Sequence, residues 1–365
     1  MKYLKQWSLL TMAVVAAMTL LVGACASEEE EPTAVPAVPT ATAEPVVVAT
    51  ADLVVLSNSS PHITVIDAET NEVSSTADIA DFTKWTWNDD NNYFDGTNVW
   101  LGMKHPDTNE VEVIALNLDT LELSARIAIG PDSKSLYLGQ ANEDGILLVG
   151  KMGFNQVIEI DTKNFTVGST WDIPTGEDGV VCDVDVARGS DGVERAFIPT
   201  DKSDMVLSIN TATGEVLAEF KTSESGIRPF MLSASPDGKT VWVQERASNG
   251  NAVLDAITLE LISRVPTGEN AIMNTFSPDG TVSYTAHSKD TVVVANSVES
   301  PFTELWRATV GTSPSRVAVH PNGEFVYATI SKEAAVAVID AATGEVVQRI
   351  EMGTDPNTIF VRERG

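Results

Sequence analysis

Seven times along the chain the same phrase returns: a β-rich run, an Asp or Asn, two to five turn residues, and a second β-rich run. The anchors are Asp67, Asp119, Asp161, Asn210, Asp255, Asn296 and Asp340, at spacings of 52, 42, 49, 45, 41 and 44 residues. A mean of about 45 residues is the period of four-stranded propeller blades. A unit of that size is one small sheet that cannot bury its faces alone, so neighbouring units must stack against each other. The expected fold is all-β, a seven-bladed β-propeller with four antiparallel strands per blade, A innermost to D outermost.

The turn chemistry supports the count. Asp95-Gly96, Asp144-Gly145, Asp191-Gly192, Asp237-Gly238, Asp279-Gly280 and Asn322-Gly323 are hairpin signals between strands A and B, expected to use positive φ at both positions. The first repeat has no such turn and opens directly on the strand B candidate Leu53-Val54-Val55-Leu56. The last repeat leaves a spare run, Asn357-Thr358-Ile359-Phe360-Val361. That C-terminal strand is expected to serve as strand A of the first blade and close the ring.

Phe325 to Ile330 followed by Val336 to Val346, together with Ser235-Pro236-Asp237-Gly238-Lys239 and Val310 to Val319, resembles the YVTN-type propeller repeat. The resemblance spans roughly residues 51–365, is clearest in the C-terminal half, and is interrupted by an extra stretch from Trp85 to Asp95. Proteins with such repeats include surface-layer and periplasmic binding proteins, seven-bladed lactonases and the large subunits of quinone-dependent amine dehydrogenases. The resemblance implies the fold and leaves the function open.

Lys2 and Lys5 precede an apolar stretch from Trp7 to Val22, the layout of a secretory signal. Leu21-Val22-Gly23-Ala24-Cys25 resembles a bacterial lipobox, which makes residues 1–24 a signal peptide and Cys25 the lipidated new N-terminus. An uncleaved membrane anchor is the alternative. Residues 25–50, with Glu28 to Glu31 and Pro32, Pro36, Pro39 and Pro45, read as a disordered stalk, and residues 51–365 as the propeller. The protein is therefore expected outside the cytoplasm, anchored to the cell membrane or outer membrane.

Without residues 1–24 the chain keeps 21 basic and 52 acidic residues, a net charge of −31. Such an acidic surface argues against nucleic acid and against electrostatic docking on anionic lipid. Cys182, inside the alternating run Val180 to Val186, is expected to be a buried inert thiol.

No G-x-S-x-G elbow, H-E-x-x-H, Walker loop or C-x-x-C occurs in the sequence, and no cofactor is expected. The seven Asp/Asn anchors recur in every blade, which marks them as turn-formers bonding their own backbone. Asn88 to Asn92 read as a polar insertion rather than a calcium loop. The tryptophans Trp85, Trp87, Trp100, Trp171, Trp242 and Trp306 mostly lie in strand runs and suit inter-blade packing, with Trp85 and Trp87 the two that could face a partner.

The functional signal is a ring of charge on one face. Lys104, Lys151, Lys202, Arg246, Lys289 and Lys332 fall in the B–C loops of blades 2 to 7. His62, His105 and His287 fall in the loops of blades 1, 2 and 6, whereas His320 belongs to a His-Pro-Asn-Gly turn on the opposite face. The six basic residues form a candidate ligand face for an anion or a partner, and the three histidines a weak candidate metal site. Asp107, Asp201, Asp204, Glu245, Asp290 and Glu333 share those loops and offer the competing reading, ordinary surface ion pairs.

The function expected from these features is a non-catalytic, lipid-anchored binding scaffold that engages a protein or small ligand through the B–C/D–A loop face. The alternatives are a propeller subunit of an extracytoplasmic oxidoreductase, a lactonase-like hydrolase, and a metal- or haem-binding propeller.

Overall fold

The computed structural model describes residues 50–57, 62–79, 86–87, 93–105, 107–131, 135–176, 179–222 and 227–364. Cys25, the stalk, Trp85 and Asn88 to Asn92 lie outside the described residues.

Strands alternate along the described chain and group into seven sheets, each with a four-strand antiparallel path. Blade 1 uses Ala51–Ser57 as strand B, His62–Asp67 as C and Glu72–Asp78 as D, and takes its strand A from the C-terminal Pro356–Glu363. The closure is in register, with Leu53 opposite Val361 and Val55 opposite Ile359. Closure was legible because the first repeat lacks an A–B turn while the last repeat leaves a spare β-rich run.

Strands A of blades 3, 5, 6 and 7 are Leu136–Ala141, Pro229–Ala234, Ala271–Phe276 and Pro314–Val319. In two blades strand A is broken. Blade 2 sets Thr86–Trp87 and Tyr93–Phe94 separately against Asn98–Lys104. Blade 4 pairs Val180–Val181 and Asp185–Arg188 with Glu194–Asp201, so the run read as one strand is interrupted at Cys182 to Val184 by a one-residue register shift, with Cys182 N–H still donating to Pro199 O at 3.2 Å.

Packing between blades builds the core. Leu147, Val149 and Ile160 of blade 3 meet Trp100, Val111 and Val113 of blade 2, and equivalent apolar layers lie between every pair of adjacent blades. Trp242 is wholly buried and meets Phe276 and Phe302 edge-on, with ring centroids 6.1 and 5.8 Å apart. Trp306 of blade 6 donates its Nε1–H to Ala341 O of blade 7 at 2.8 Å. Large flat rings bridge the diverging sheets; Trp306 satisfies its polar edge across the interface, whereas Trp242 Nε1 has no hydrogen-bond partner among the described residues.

The A–B turns correct one expectation. Only the glycine of each Asx-Gly pair has positive φ, between +66° and +94° across the six turns. Gly238 N–H returns to Ser235 O at 2.9 Å, and Gly280, Gly323, Gly145 and Gly192 repeat that three-residue reach. These are type I turns closed by a left-handed glycine, in which the preceding Asp needs no strained backbone.

The anchors behave as Asx turns, with two corrections. Asp340 Oδ1 accepts the N–H groups of Ala342 and Thr343 at 3.1 and 2.8 Å, and Asp67, Asp161, Asn210 and Asp255 repeat the motif. In blade 2 the capping group is Asn117 rather than Asp119, whose own N–H it accepts at 2.9 Å. In blade 6 the turn-former is Ser297, which accepts Glu299 N–H at 3.2 Å, while Asn296 is buried and donates to Phe302 O. With those residues the spacings become 50, 44, 49, 45, 42 and 43, a tighter period than the sequence reading produced.

Candidate functional site at the channel and its loop-face mouth

Because strands A and B run antiparallel between the tight turns and the loops, the last residue of strand B recurs at one height on the loop face. In blades 2 to 6 that residue is Lys104, Lys151, Asp201, Glu245 and His287, opposite Thr86, Leu136, Val180, Pro229 and Ala271. In blades 7 and 1 it is Ile330 and Ser57. All five of these residues, assigned to loops in the sequence analysis, thus end strands instead, and all but Lys104 are buried.

These strand ends hold the segments that enter and leave each blade. Lys151 Nζ donates to Ile129 O of blade 2 at 3.2 Å and lies 4.1 Å from the Phe154 ring centroid. Burial pulls its pKa down. Asp201 accepts both arms of Arg228, from the segment leading into blade 5, at 2.8 and 2.7 Å. Burial opposes the Asp201 charge, yet the Arg228 fork outweighs it and keeps the carboxyl below its usual range. Glu245 pairs with Arg264 at 3.2 Å. His287 Nε2 lies 2.8 Å from Thr267 Oγ1, and Ser57 donates to Thr354 Oγ1 at 2.6 Å.

The other basic residues of the expected ring are dispersed. Lys202 and Lys332 are exposed, Lys289 pairs with Glu269 at 2.8 Å, and Lys104 is half-buried. Arg246 lies 3.4 Å above the Phe230 ring centroid. The histidines occupy separate environments. His62 Nδ1 sits 2.7 Å from Asp78 Oδ1, and His105 Nδ1 accepts the N–H groups of Asp107 and Thr108 at 3.3 and 3.2 Å. His287 is sealed in the core. Among the described residues no group of three His, Cys, Asp or Glu side chains is arranged to hold a metal. His320, as expected of a turn residue, accepts Asn322 N–H at 3.2 Å.

Arg246 and Phe230 belong to a patch that spans blades 3 to 6 at the channel mouth. Tyr137, Cys182, Phe230 and Met231 are buried together, with Met152, Val180, Ile272 and Met273 packed against them. Tyr137 meets Phe230 edge-on, 6.4 Å between centroids. Burial pushes the Cys182 thiol up to about 12, which keeps it protonated and unreactive.

Inside the channel, Asp183 and Asp185 of blade 4 reach the inner edge of blade 5. Asp183 Oδ2 accepts Leu232 N–H at 3.0 Å and Oδ1 accepts Val184 N–H at 2.9 Å. Asp185 does the same with Ala234 at 2.8 Å and Val186 at 2.9 Å. Strand A is an edge strand whose outward N–H groups need partners, and alternate aspartates supply them at strand period. Burial pushes Asp183 up to about 7, against those donors and the charge of buried Arg316 from blade 7. Burial also pushes Asp185 up, to about 6. A cavity of about 100 Å³ lies among Asp183, Asp185, Arg316, Gln140, Ser233 and Met273.

Arg228, Arg316, Asp183, Asp185 and Phe230 were not among the residues expected at the site. A signal existed for three of them. Charges at alternate positions of an innermost strand (Asp183, Asp185) and one within Ser315-Arg316-Val317 must face either the channel or a neighbouring blade. Arg228 carries no local signal, since its role follows from a φ of +60° and contact with a residue 27 positions away.

No protein-family model matches the chain, and no curated protein matches it. Solved structures do. A putative 6-phosphogluconolactonase from Bacteroides fragilis NCTC 9343 shares 15% identity over 86% of this chain and 98% of its own, with a TM-score of 0.66. The periplasmic gluconolactonase PpgL of Pseudomonas aeruginosa shares 16% over 86% and 99%, TM-score 0.66. A protein from Lactobacillus plantarum shares 13% over 87% and 100%, TM-score 0.69. At such identity the likeness is one of fold alone.

Proposed function

We propose that the protein is a non-catalytic binding module, held outside the cytoplasm by a lipid on Cys25, that engages a partner through the loop-face sector of blades 3 to 5. The observation that carries this reading is the use made of the ionisable strand ends. Lys151, Asp201, Glu245 and His287 are committed to ties within and between blades, so the rim is rigid and its charges are spent on architecture. Upon that frame sit an exposed Phe154 at 45%, half-buried Met152, Arg228, and Arg246 stacked on Phe230. Aromatic and arginine side chains on a preorganised surface are the residues that dominate protein–protein binding energy.

The test is native mass spectrometry of the protein gently extracted from its own membranes, alongside Phe154→Ser and Arg246→Glu variants. A diacylglyceryl mass on Cys25 and a companion chain that both variants release support the module. An unlipidated chain, or a companion that ignores both substitutions, refutes it.

A second reading, a lactonase-like hydrolase, draws on the likeness to the Bacteroides 6-phosphogluconolactonase and Pseudomonas gluconolactonase structures and on a channel carboxyl, Asp183, raised to about 7. Ring opening of gluconolactone above the spontaneous rate, lost in Asp183→Asn, is the outcome that would favour it.

A further inference from the structure

The channel cavity does not end at Gln140 and Asp185. A second volume of about 500 Å³ continues toward the A–B turns, and the two share Gln140, Asp185, Ser233 and Met273. The joined space opens on the face opposite the loop-face patch, between blades 3 and 6, with Phe276 and Met273 among its apolar walls. We propose that this turn-face end of the channel binds a small organic cation, a primary amine or diamine whose ammonium group meets Asp185.

Asp185 sets the sign of charge inside. Its two oxygens each accept one backbone N–H, which fixes the carboxylate while leaving lone pairs on both atoms. A fixed carboxylate accepts hydrogen bonds and repels anions, so a complementary ligand must donate and carry positive charge. The neighbouring charges do not cancel it. Asp183 lies deeper, within the electrostatic reach of Arg316. Arg188 at the rim is tied to Glu143, Glu194 and Gly192 O at 2.9, 3.5 and 2.7 Å. Although burial pushes Asp185 up to about 6, it is ionised at pH 7.5.

The walls and the approach fit the same ligand class. The Phe276 ring and the Met273 thioether are polarisable surfaces suited to an alkyl chain ending in a cation. Glu143, Asp144, Asp191, Asp237 and Asp279 stand in the A–B turns of blades 3 to 6. Glu143, Asp191 and Asp237 are paired with Arg188, Arg195 and Lys239, so the excess acid at the rim comes from Asp144 and Asp279, in a chain whose net charge is −29. An acidic rim around a low-dielectric cleft concentrates cations at its mouth.

Calorimetric titration of the full chain at pH 7.5 tests the proposal, with 1,5-diaminopentane as the probe and 1-pentanol as its uncharged counterpart. Saturable one-to-one binding is expected, at least ~tenfold tighter for the diamine than for the alcohol. Asp185→Asn removes the charge and should weaken the diamine at least ~tenfold, and Gln140→Trp, which fills the shared neck at an exposed position, should do likewise. Asp340→Asn deletes a charge on the same face while keeping a turn acceptor, and should leave affinity within about twofold. The proposal is overturned by absence of saturable binding, by equal affinity for pentanol, or by an Asp340→Asn effect matching that of Asp185→Asn. Phe154→Ser and Arg246→Glu lie on the opposite face and should not alter diamine binding, which separates this site from the loop-face reading.

Discussion

His287 offers a measurable link between sequence position and stability. It ends strand B of blade 6, is fully buried, and has Nε2 2.8 Å from Thr267 Oγ1. Its Nδ1 has no hydrogen-bond partner among the described residues. Burial, with the charge of Arg307 adding to it and Asp290 opposing it, pulls the pKa from 6.5 to about 4. Folding therefore holds the ring neutral where the unfolded chain would protonate it. Because the folded pKa is depressed, the stability is fully present above pH 6.5 and is lost as pH falls toward 4. The size follows from the two pKa values and comes to about 3 kcal/mol, roughly three quarters of it expressed by pH 4.5.

The experiment compares urea unfolding of the native chain and of His287→Gln at pH 7.5 and 4.5. Glutamine retains a polar group toward Thr267 and removes the titration. The native chain should lose about 2–3 kcal/mol more than the variant between those two pH values. Asp183 works in the opposite direction: its pKa is raised to about 7, so its contribution is present at acid pH and lost as pH rises. That effect is common to both proteins and cancels in the difference. Asp67 and Asp191, each lowered to about 2, lose their stabilising effect below the window. Parallel pH profiles for the two proteins would refute the claim that His287 is buried neutral.

Three further outcomes follow from packing and closure. Arg364→Ala removes ion pairs to Asp52, Asp67 and Glu69 that fasten the C-terminal strand to blade 1, and should lower stability by about 1 kcal/mol with a salt-sensitive midpoint, since Arg364 is over a third exposed. Trp242→Ala empties the layer between blades 5 and 6 and should cost about 3–5 kcal/mol in denaturant unfolding, while Trp242→Phe recovers part of it. Gly238→Ala places a Cβ 2.3 Å from Arg188 O at a φ of +66°, so a loss of about 2 kcal/mol or more is expected, against a loss of about 1 kcal/mol for Gly96→Ala, whose Cβ would meet nothing within 4 Å.

What could be read from the sequence divides along one physical line. Period, turn glycines and the spare C-terminal strand are local or repetitive signals, and the blade count, the A–B turns and the ring closure followed from them. The errors at Asp119 and Asn296 were errors of one or two positions, because an Asx turn is defined by which N–H groups the side chain reaches and not by residue type alone. The functional face was harder. Lys104, Lys151 and His287 look like loop charges in one dimension, yet each ends a strand, and whether such a residue faces solvent or a neighbouring blade depends on partners such as Ile129 and Thr267, some 20 positions away. Asp183 and Asp185 were visible as charges in an alternating run, but their task depends on Leu232 and Ala234, each 49 positions onward. In a propeller every site is assembled from different blades, so the repeat that makes the fold legible makes the site nearly invisible. Departures from the repeat, such as the two aspartates in the interrupted strand A of blade 4 and the arginine inside strand A of blade 7, are where this chain's chemistry is concentrated, and those positions are the first to substitute.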